Sequence, residues 1–362
     1  MSADQVRLYT VTDEDDGIRL DRWFRRNLAD IGFGQISRWA RTGQLRLDGK
    51  RAAPGDRVEA GQSIRVPPQT EEAPAPKKQP KRETLSEDET EFVRSLVIHQ
   101  DAAAIVVNKP PGLATQGGTK TRDHLDRLLD GLAEEGAPRP KLVHRLDKDT
   151  SGALLVARTP RAAASFSKSF SSRSARKVYW AIVIDVPSVE DGMIDLPLAK
   201  QPGTGGEKMH VDEAEGLPSR TRYRVIERAG NRAAWLELQP LTGRTHQLRA
   251  HLLAIGHPIL GDGKYGGQDA FLTGAISRKL HLHARRLRID HPDGGQVDVT
   301  ANLPDHFAAT MASLGFDPAL GDLPLDQVKF SETAEGKRKA VSAAAKARRK
   351  ERRGERRSRG RG

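Results

Sequence analysis

The sequence predicts an α+β protein, a large mixed-sheet domain preceded by a small N-terminal α/β module, and three observations carry that expectation. Between residues 92 and 325, six apolar runs of strand length alternate with a few helical patterns and long turns, as in a mixed sheet with helices on its faces. Residues 17–66 pass from helical spacing to strand-like alternation. The stretch 67–91 between them is polar, proline-rich and without periodicity, and reads as a linker.

Residues 1–16 read as an N-terminal extension, polar and acidic. In the module, Leu20, Trp23, Phe24, Leu28 and Ile31 recur at helical spacing while Arg19, Arg22, Arg25 and Arg26 fall on a different face, giving a core side and a cationic ridge. A second short helix around Gln35 to Arg41 ends at Gly43, and GQLRLDGK then alternates like a strand running into an Asp-Gly turn. In the domain 92–325 the expected strands are AAAIVVNKP, GALLVAR, KVYWAIVI, SRTRYRVIE, AAWLELQPL and LHLHARRLRI. Leu125, Leu128, Leu129 and Leu132 make one helical stripe, and Ala162, Ala163, Phe166 and Phe170 another. A third helix, in THQLRAHLLAIGHP, buries Leu248, Leu252 and Ile255, uses Gly256 as its C′ residue and stops at Pro258. His246 and Arg249, three apart on it, can point together toward a cleft. Residues 326–362 form a basic tail, expected to be disordered by itself because it lacks bulky apolar residues.

With 36% hydrophobic residues, the 362-residue chain can bury at least one large core. Its net charge of +12 suggests a polyanionic partner, and the distribution sharpens this. Residues 336–362 hold 13 Lys/Arg against 2 Glu, and residues 17–51 hold nine Lys/Arg against three Asp. With no cysteine, thiolate nucleophiles, thiolate zinc sites and disulfides are excluded. The N-terminus has no apolar signal region and the longest apolar run is Val178 to Ile184, so a cytoplasmic protein without membrane insertion is expected.

The chemistry concentrates in VHRLDKDTSG, residues 143–152, where carboxylates sit among cations on one loop. Six histidines, His144, His246, His251, His257, His281 and His283, raise the alternative of a metallohydrolase. Arg145, Arg244 and Arg249 inside the same motifs count against it, because cations beside a divalent ion cost affinity. Asp147 and Asp149, two apart on one loop, are poorly placed to straddle a glycosidic bond. The glycine patterns of nucleotide-binding loops are absent around Gly117, Gly205 and Gly266.

Four ordered motifs, VHRLDKDTSGALLVAR, RKVYWAIV, LTGRTHQLRAHLLAIGHPILGDGKYGG and LHLHARRL, resemble the RluA family of RNA pseudouridine synthases over roughly residues 92–310. Residues 17–66 resemble the small RNA-binding module named after ribosomal protein S-four. GQLRLDGKR and GGTKTRDHLDRLL are most similar to the RluC-like branch, which acts on large-subunit rRNA. The resemblance implies a mixed-sheet catalytic core, a uridine of large-subunit ribosomal RNA or its precursor particle as substrate, no cofactor, no metal and a monomer. By motif it assigns Asp147 as the catalytic carboxylate and Arg145 as the side chain inserted into the RNA stack when the target flips out. It places Tyr179 against the uracil and pairs Arg249 with the aspartate. Arg19, Arg22, Arg25, Arg26, Arg38 and Arg41 would bind RNA from the module.

The residue types suit that chemistry. Pseudouridine formation moves the ribose C1′ from uracil N1 to C5, an isomerisation needing an ionised carboxylate near the ribose, either to attack C1′ or to take a proton from C2′. The free uracil must turn in a dry pocket, for which Tyr179 offers a wall, and an arginine wedge offsets the lost stacking. Asp149, Thr150 and Ser151 read as turn-forming, His246 and His251 as structural, and Lys148 as touching phosphate or water. Two rivals stand beside this reading: a catalytically silent RNA-binding ribosome-assembly factor, and a metal-dependent nuclease or hydrolase.

Overall fold

The computed structural model describes residues 6–68, 84–117, 123–201 and 208–322. It divides the chain into two compact units, residues 1–84 and 85–362. Most of the expected linker (69–83) and the tail 326–362 lie outside the described residues.

In the N-terminal unit, helices α1 (Leu20–Asn27) and α2 (Phe33–Arg41) pack their apolar stripes on a four-stranded antiparallel sheet. Its strands are β1 (Arg7–Thr10), β2 (Arg46–Leu47), β3 (Lys50–Arg51) and β4 (Ser63–Val66), in the order β1-β4-β2-β3. Leu20, Trp23, Phe24, Ile31, Ile36, Trp39, Leu45, Val58 and Ile64 share one core, with Trp23 and Phe24 edge to face at 5.4 Å. The expected Asp-Gly turn joins β2 to β3: Asp48 and Gly49 have φ of 45° and 77°, the pair of positive values a two-residue hairpin needs.

Two expected boundaries are corrected. Residues 7–10, assigned to an extension, are an edge strand paired from Arg7↔Val66 to Thr10↔Ser63. Their one aliphatic side chain, Leu8, faces solvent at 69% exposure, so no apolar alternation marks them. The linker stops earlier than residue 91, because helix α3 (Glu87–Ser95) begins there behind a reciprocal Ser86/Glu89 capping box. Only Val93 of that helix is buried, so its hydrophobic signal is weak.

The second unit is built on a ten-stranded sheet. The six anticipated runs appear as β6 (Ala104–Lys109), β8 (Ser151–Ala157), β9 (Arg176–Ile184), β13 (Arg220–Ala229), β14 (Ala233–Pro240) and β15 (Leu282–Asp290). Four shorter strands complete it: β5 (Val97–Gln100), β7 (Lys141–Leu142), β10 (Asp191–Asp195) and β16 (Gln296–Thr300). A separate hairpin consists of β11 (Leu198–Lys200) and β12 (Met209–Val211). The main order is β10-β13-β14-β9-β15-β8-β6-β5, with β16 added to β15 and β7 to β8, and only β8 and β15 run parallel. The sheet is therefore mixed, as expected.

The leucine stripe at 125–132 is shorter than an ordinary helix: one α turn, α4 (Leu125–Leu128), continues as a 3-10 turn through Leu132. Its four leucines are nonetheless buried. Helices α5 (Pro160–Ser172) and α6 (Gln247–Ala254) follow the predicted pattern, and Gly256 just beyond α6 has φ 89°. The short α7 (Gly263–Gly266) and α8 (Asp305–Leu314) complete the α-helices among the described residues of this unit. At the crossing of β8 and β15, Gly152 has φ 113° and a Cβ there would lie 2.2 Å from the Ala284 carbonyl oxygen. Only glycine permits that approach, and it fixes the end of the 143–152 loop against the sheet centre.

Candidate active site

The loop between β7 and β8 is held from beneath by groups drawn from distant segments. The Thr115 hydroxyl donates to the Leu146 carbonyl at 2.6 Å, and Nε2 of His144 accepts from Leu155 N–H at 2.8 Å. His144 also stacks on Phe170, with ring centroids 4.2 Å apart. Burial first, and then the charge of Lys177, pulls its pKa down to about 3, so the ring is neutral. Lys109, fully buried, spends Nζ on the carbonyls of Pro110, Leu113 and Lys148 at 2.9, 2.8 and 3.0 Å. Burial lowers the Lys109 pKa to about 7 against the attraction of Asp149 and Asp147. Neither Lys109 nor Thr115 was singled out from the sequence. The NKP context gave no reason to expect an amine turned inward.

Above these supports the loop presents Asp147, its side chain 21% exposed, and the exposed Arg145. Tyr179 on β9, in register with Leu238 of β14 and Ala284 of β15, stands at the sheet centre beside them. Burial, and secondarily the charge of Asp147, raises its pKa, so the phenol stays protonated. Asp149 is exposed, Thr150 N–H donates to the Asp147 carbonyl at 3.2 Å, and the Ser151 hydroxyl meets His283 Nδ1 at 2.9 Å. The turn-forming reading of these three residues agrees with that geometry.

The expectation that Arg249 pairs with Asp147 is corrected. The Arg249 guanidinium forms two hydrogen bonds to Asp262, at 2.8 and 2.7 Å, with the two side chains 7% and 1% exposed. Burial works against its charge, but Asp262 and then Asp147 outweigh it, so it remains a cation in the field of the 143–152 loop. The reason lies in ILGD, where Asp262 caps α7 directly beside α6 and offers a bidentate partner that the loop carboxylate cannot match. Gln247 fixes the preceding turn: its carbonyl accepts from the Thr242 hydroxyl and Arg244 N–H, and its amide donates to the Arg220 carbonyl and the Thr221 hydroxyl.

His251 is structural as expected, bonded to Thr221 and to the Leu196 carbonyl. His246 is not. Its ring lines the cleft, with Nε2 3.8 Å from Asp147 Oδ2. The ring nitrogens of His281 go to the Leu260 carbonyl and the Thr310 hydroxyl, and those of His283 to Ser151 and the Ala301 carbonyl. Both therefore serve the sheet.

The resulting cleft has a volume of about 300 Å³. Among the described residues, five cations line it, Arg145, Arg173, Lys177, Arg244 and Arg249, and Asp147 is the one carboxylate. Such a site attracts a phosphate-bearing ligand and turns a single carboxyl group toward it. Nε of Arg244 and the hydroxyl of Thr150, both buried at this wall, have no hydrogen-bond partner among the described residues. The other predicted residues belong to the N-terminal unit. There Arg22, Arg25, Arg38 and Arg41 are exposed, whereas Arg19 bonds to Asp21 and Arg26 to Glu14 and Asp15.

The family model for RNA pseudouridylate synthase matches residues 103–254, a span that includes the loop, Tyr179 and all of α6. Ribosomal large subunit pseudouridine synthase C of Vibrio vulnificus is 32% identical over 313 residues, 86% of this chain and 97% of its own length. The protein of the same name from Escherichia coli K12 is 34% identical over 301 residues, 81% of this chain and 91% of that one. Among solved structures, human RNA pseudouridylate synthase domain containing 4 superposes with a TM-score of 0.53 at 30% identity, covering 63% of this chain and 97% of its own. With the motif residues gathered in one cleft and these relatives matched over nearly their full length, the chain belongs to the RluA family of RNA pseudouridine synthases, on its RluC-like branch.

Proposed function

We propose that this pseudouridine synthase modifies uridines of large-subunit ribosomal RNA or its precursor particle in the cytoplasm, as a monomer and without a cofactor. Asp147 would be the reacting carboxylate. The observation that carries the reading is the lone carboxylate in a cleft of five cations, beside the protonated Tyr179. Arg145, exposed on the same loop, is placed to enter the stack as the target leaves it, and Arg173, Lys177 and Arg244 line the path of the flanking phosphates. With the nucleotide seated, Asp147 either attacks C1′ or removes the C2′ proton. The N1 to C1′ bond breaks and the uracil turns against Tyr179; C5 then joins C1′ as the Asp147–C1′ bond breaks or, in the other route, as Asp147 returns the proton to C2′, and the C5 hydrogen leaves to solvent while N1 gains one. The S-four-like N-terminal module supplies affinity for structured RNA through its arginine face, and the basic tail adds affinity that does not depend on sequence.

Mapping pseudouridine on rRNA from a deletion strain, then complementing with wild type or Asp147→Asn, tests the assignment. Wild type should restore specific large-subunit positions. The purified variant should bind the RNA within about threefold of wild type yet release tritium from C5-labelled uridine at least about a thousandfold more slowly. Unchanged pseudouridine positions in the deletion strain would reject the substrate, and substantial tritium release by Asp147→Asn would reject the carboxylate.

A further inference from the structure

The cleft contains a hydrogen-bonded chain, Met209 to Tyr265 to His246, whose far end lies 3.8 Å from the proposed catalytic carboxylate. His246 occupies the N-cap of α6 with φ 50° and ψ 22°, a left-handed conformation rare for a side chain of this size, and it does not cap the helix. Its ring is turned into the cleft instead. Nδ1 lies 3.0 Å from the hydroxyl of Tyr265, which is itself only 6% exposed, and that oxygen accepts from Met209 N–H at 2.9 Å. On the other side of the ring, Nε2 faces Asp147 Oδ2 at 3.8 Å. Among the described residues, no hydrogen bond to the Asp147 carboxylate is formed, and this imidazole is the group poised to make one.

These contacts determine the tautomer. With Met209 N–H already aimed at the phenolic oxygen, the Tyr265 hydroxyl proton has, among the described residues, one hydrogen-bonded acceptor, Nδ1 of His246. The opposite arrangement would leave a buried hydroxyl proton unused and turn an imidazole lone pair toward a carboxylate. Both cost free energy. Nε2 therefore carries the hydrogen. Burial first, with Arg249 and Lys264 assisting, holds the ring in its neutral form against the pull of Asp147 and Asp262.

We infer that His246, oriented by Tyr265 and the Met209 N–H, is a positioning residue that donates its Nε2–H to one oxygen of Asp147 and leaves the other oxygen free for the ribose. A shift of about 1 Å brings the pair to hydrogen-bonding distance. A neutral donor fixes the carboxylate without the full charge that would blunt it as a nucleophile or base, and Arg249 is spent on Asp262. Met209 begins β12, so the β11/β12 hairpin sets the far end of the chain. The inference rests on the reading of Asp147 as the reacting group.

Single-turnover tritium release from a C5-labelled large-subunit rRNA transcript tests it, with RNA affinity and thermal melting measured in parallel. His246→Ala should slow the chemical step about ten- to a hundredfold while leaving affinity within about threefold. His246→Gln, whose amide nitrogen can take the place of Nε2, should recover most of that loss. Tyr265→Phe should slow the wild-type chain, yet His246→Ala with Tyr265→Phe should be no slower than His246→Ala alone, because the hydroxyl acts through the imidazole. Full speed in His246→Ala, no recovery with Gln, or an additive double variant would each overturn the inference. Asp147→Asn, run alongside, separates the cases: if it keeps its rate, the reading of the carboxylate itself has failed.

Discussion

The two units of this chain treat polar groups in opposite ways. Among its described residues, the N-terminal unit buries a single charged side chain, Asp15, and keeps Arg22, Arg25, Arg38 and Arg41 in solvent over a core of Trp23, Phe24 and Trp39. The catalytic unit buries Lys109, Arg222, Glu237, Arg249, Asp262 and four histidines, each with hydrogen-bonding or charged partners. It also contains all 11 histidines of the chain. A surface that neutralises phosphates needs cations that remain free, and its core can be ordinary. A site that aligns one carboxylate needs supports that do not move, and buried hydrogen-bonded groups give that rigidity at the cost of desolvation.

Acid should expose the difference most strongly. His251, His281 and His283 are fully buried, and burial lowers the pKa of each to about 4 from an ordinary 6.5. Between those values the unfolded chain binds the proton and the folded one does not, so stability is complete above about pH 6.5 and is lost as pH falls toward 4. The slope is up to about 1.4 kcal/mol per pH unit for each group. Calorimetry of the full chain at pH 7 and pH 5 should show the catalytic transition falling by many degrees while the histidine-free N-terminal unit moves little. Equal shifts of both transitions would erase the contrast.

Lys109 breaks the comparison at one residue. In Lys109→Met the carbonyls of Pro110, Leu113 and Lys148 lose their donor beneath the 143–152 loop. The catalytic unit should lose about 3 kcal/mol or more, as expected for several buried acceptors left unpaired. Chemical denaturation followed by near-ultraviolet signal from Trp180 and Trp235 measures this, and tritium release should fall with it. A variant that melts like wild type would show that the loop does not depend on the amine.

What the sequence made legible follows the same division. Long runs such as KVYWAIVI and AAWLELQPL gave β9 and β14 because a strand at the centre of a sheet is apolar on both faces. β1 and α3 escaped because each has too few buried residues to leave a period. Asp147, Arg145, Tyr179 and Arg249 were found through motifs, and the structure brings all four to one cleft. The partner of Arg249 was misread, since pairing between residues 13 apart on a capped turn is a matter of three-dimensional geometry. His246 was read as structural because nothing in THQLR distinguishes an imidazole that bonds the backbone from one turned outward by a left-handed φ. Lys109 and Thr115 carry no local signal, since their partners lie on segments far along the chain.

The smallest effects lie within the arginine face, where six candidates from sequence separate into two kinds. Arg22, Arg25, Arg38 and Arg41 are exposed on α1 and α2 and can meet phosphates at no structural cost. Changing these four to Gln should flatten the plot of log affinity against log salt by about three units, with the melting transition and the tritium release rate at saturating RNA unchanged. Arg26 differs. Its guanidinium reaches Glu14 and the buried carboxylate of Asp15, whose side chain is 4% exposed, at 3.1 and 3.0 Å. Arg26→Gln should therefore lower the stability of the N-terminal unit by about 1 kcal/mol and change the salt slope by less than Arg38→Gln does, because an arginine already paired releases fewer counterions when RNA arrives. Filter binding across a salt series, with melting curves for both single variants, reads the two effects independently. If Arg26→Gln instead matched Arg38→Gln in slope and left the melt untouched, the Asp15 contact would be incidental and all the arginines of α1 would belong to the RNA-facing set.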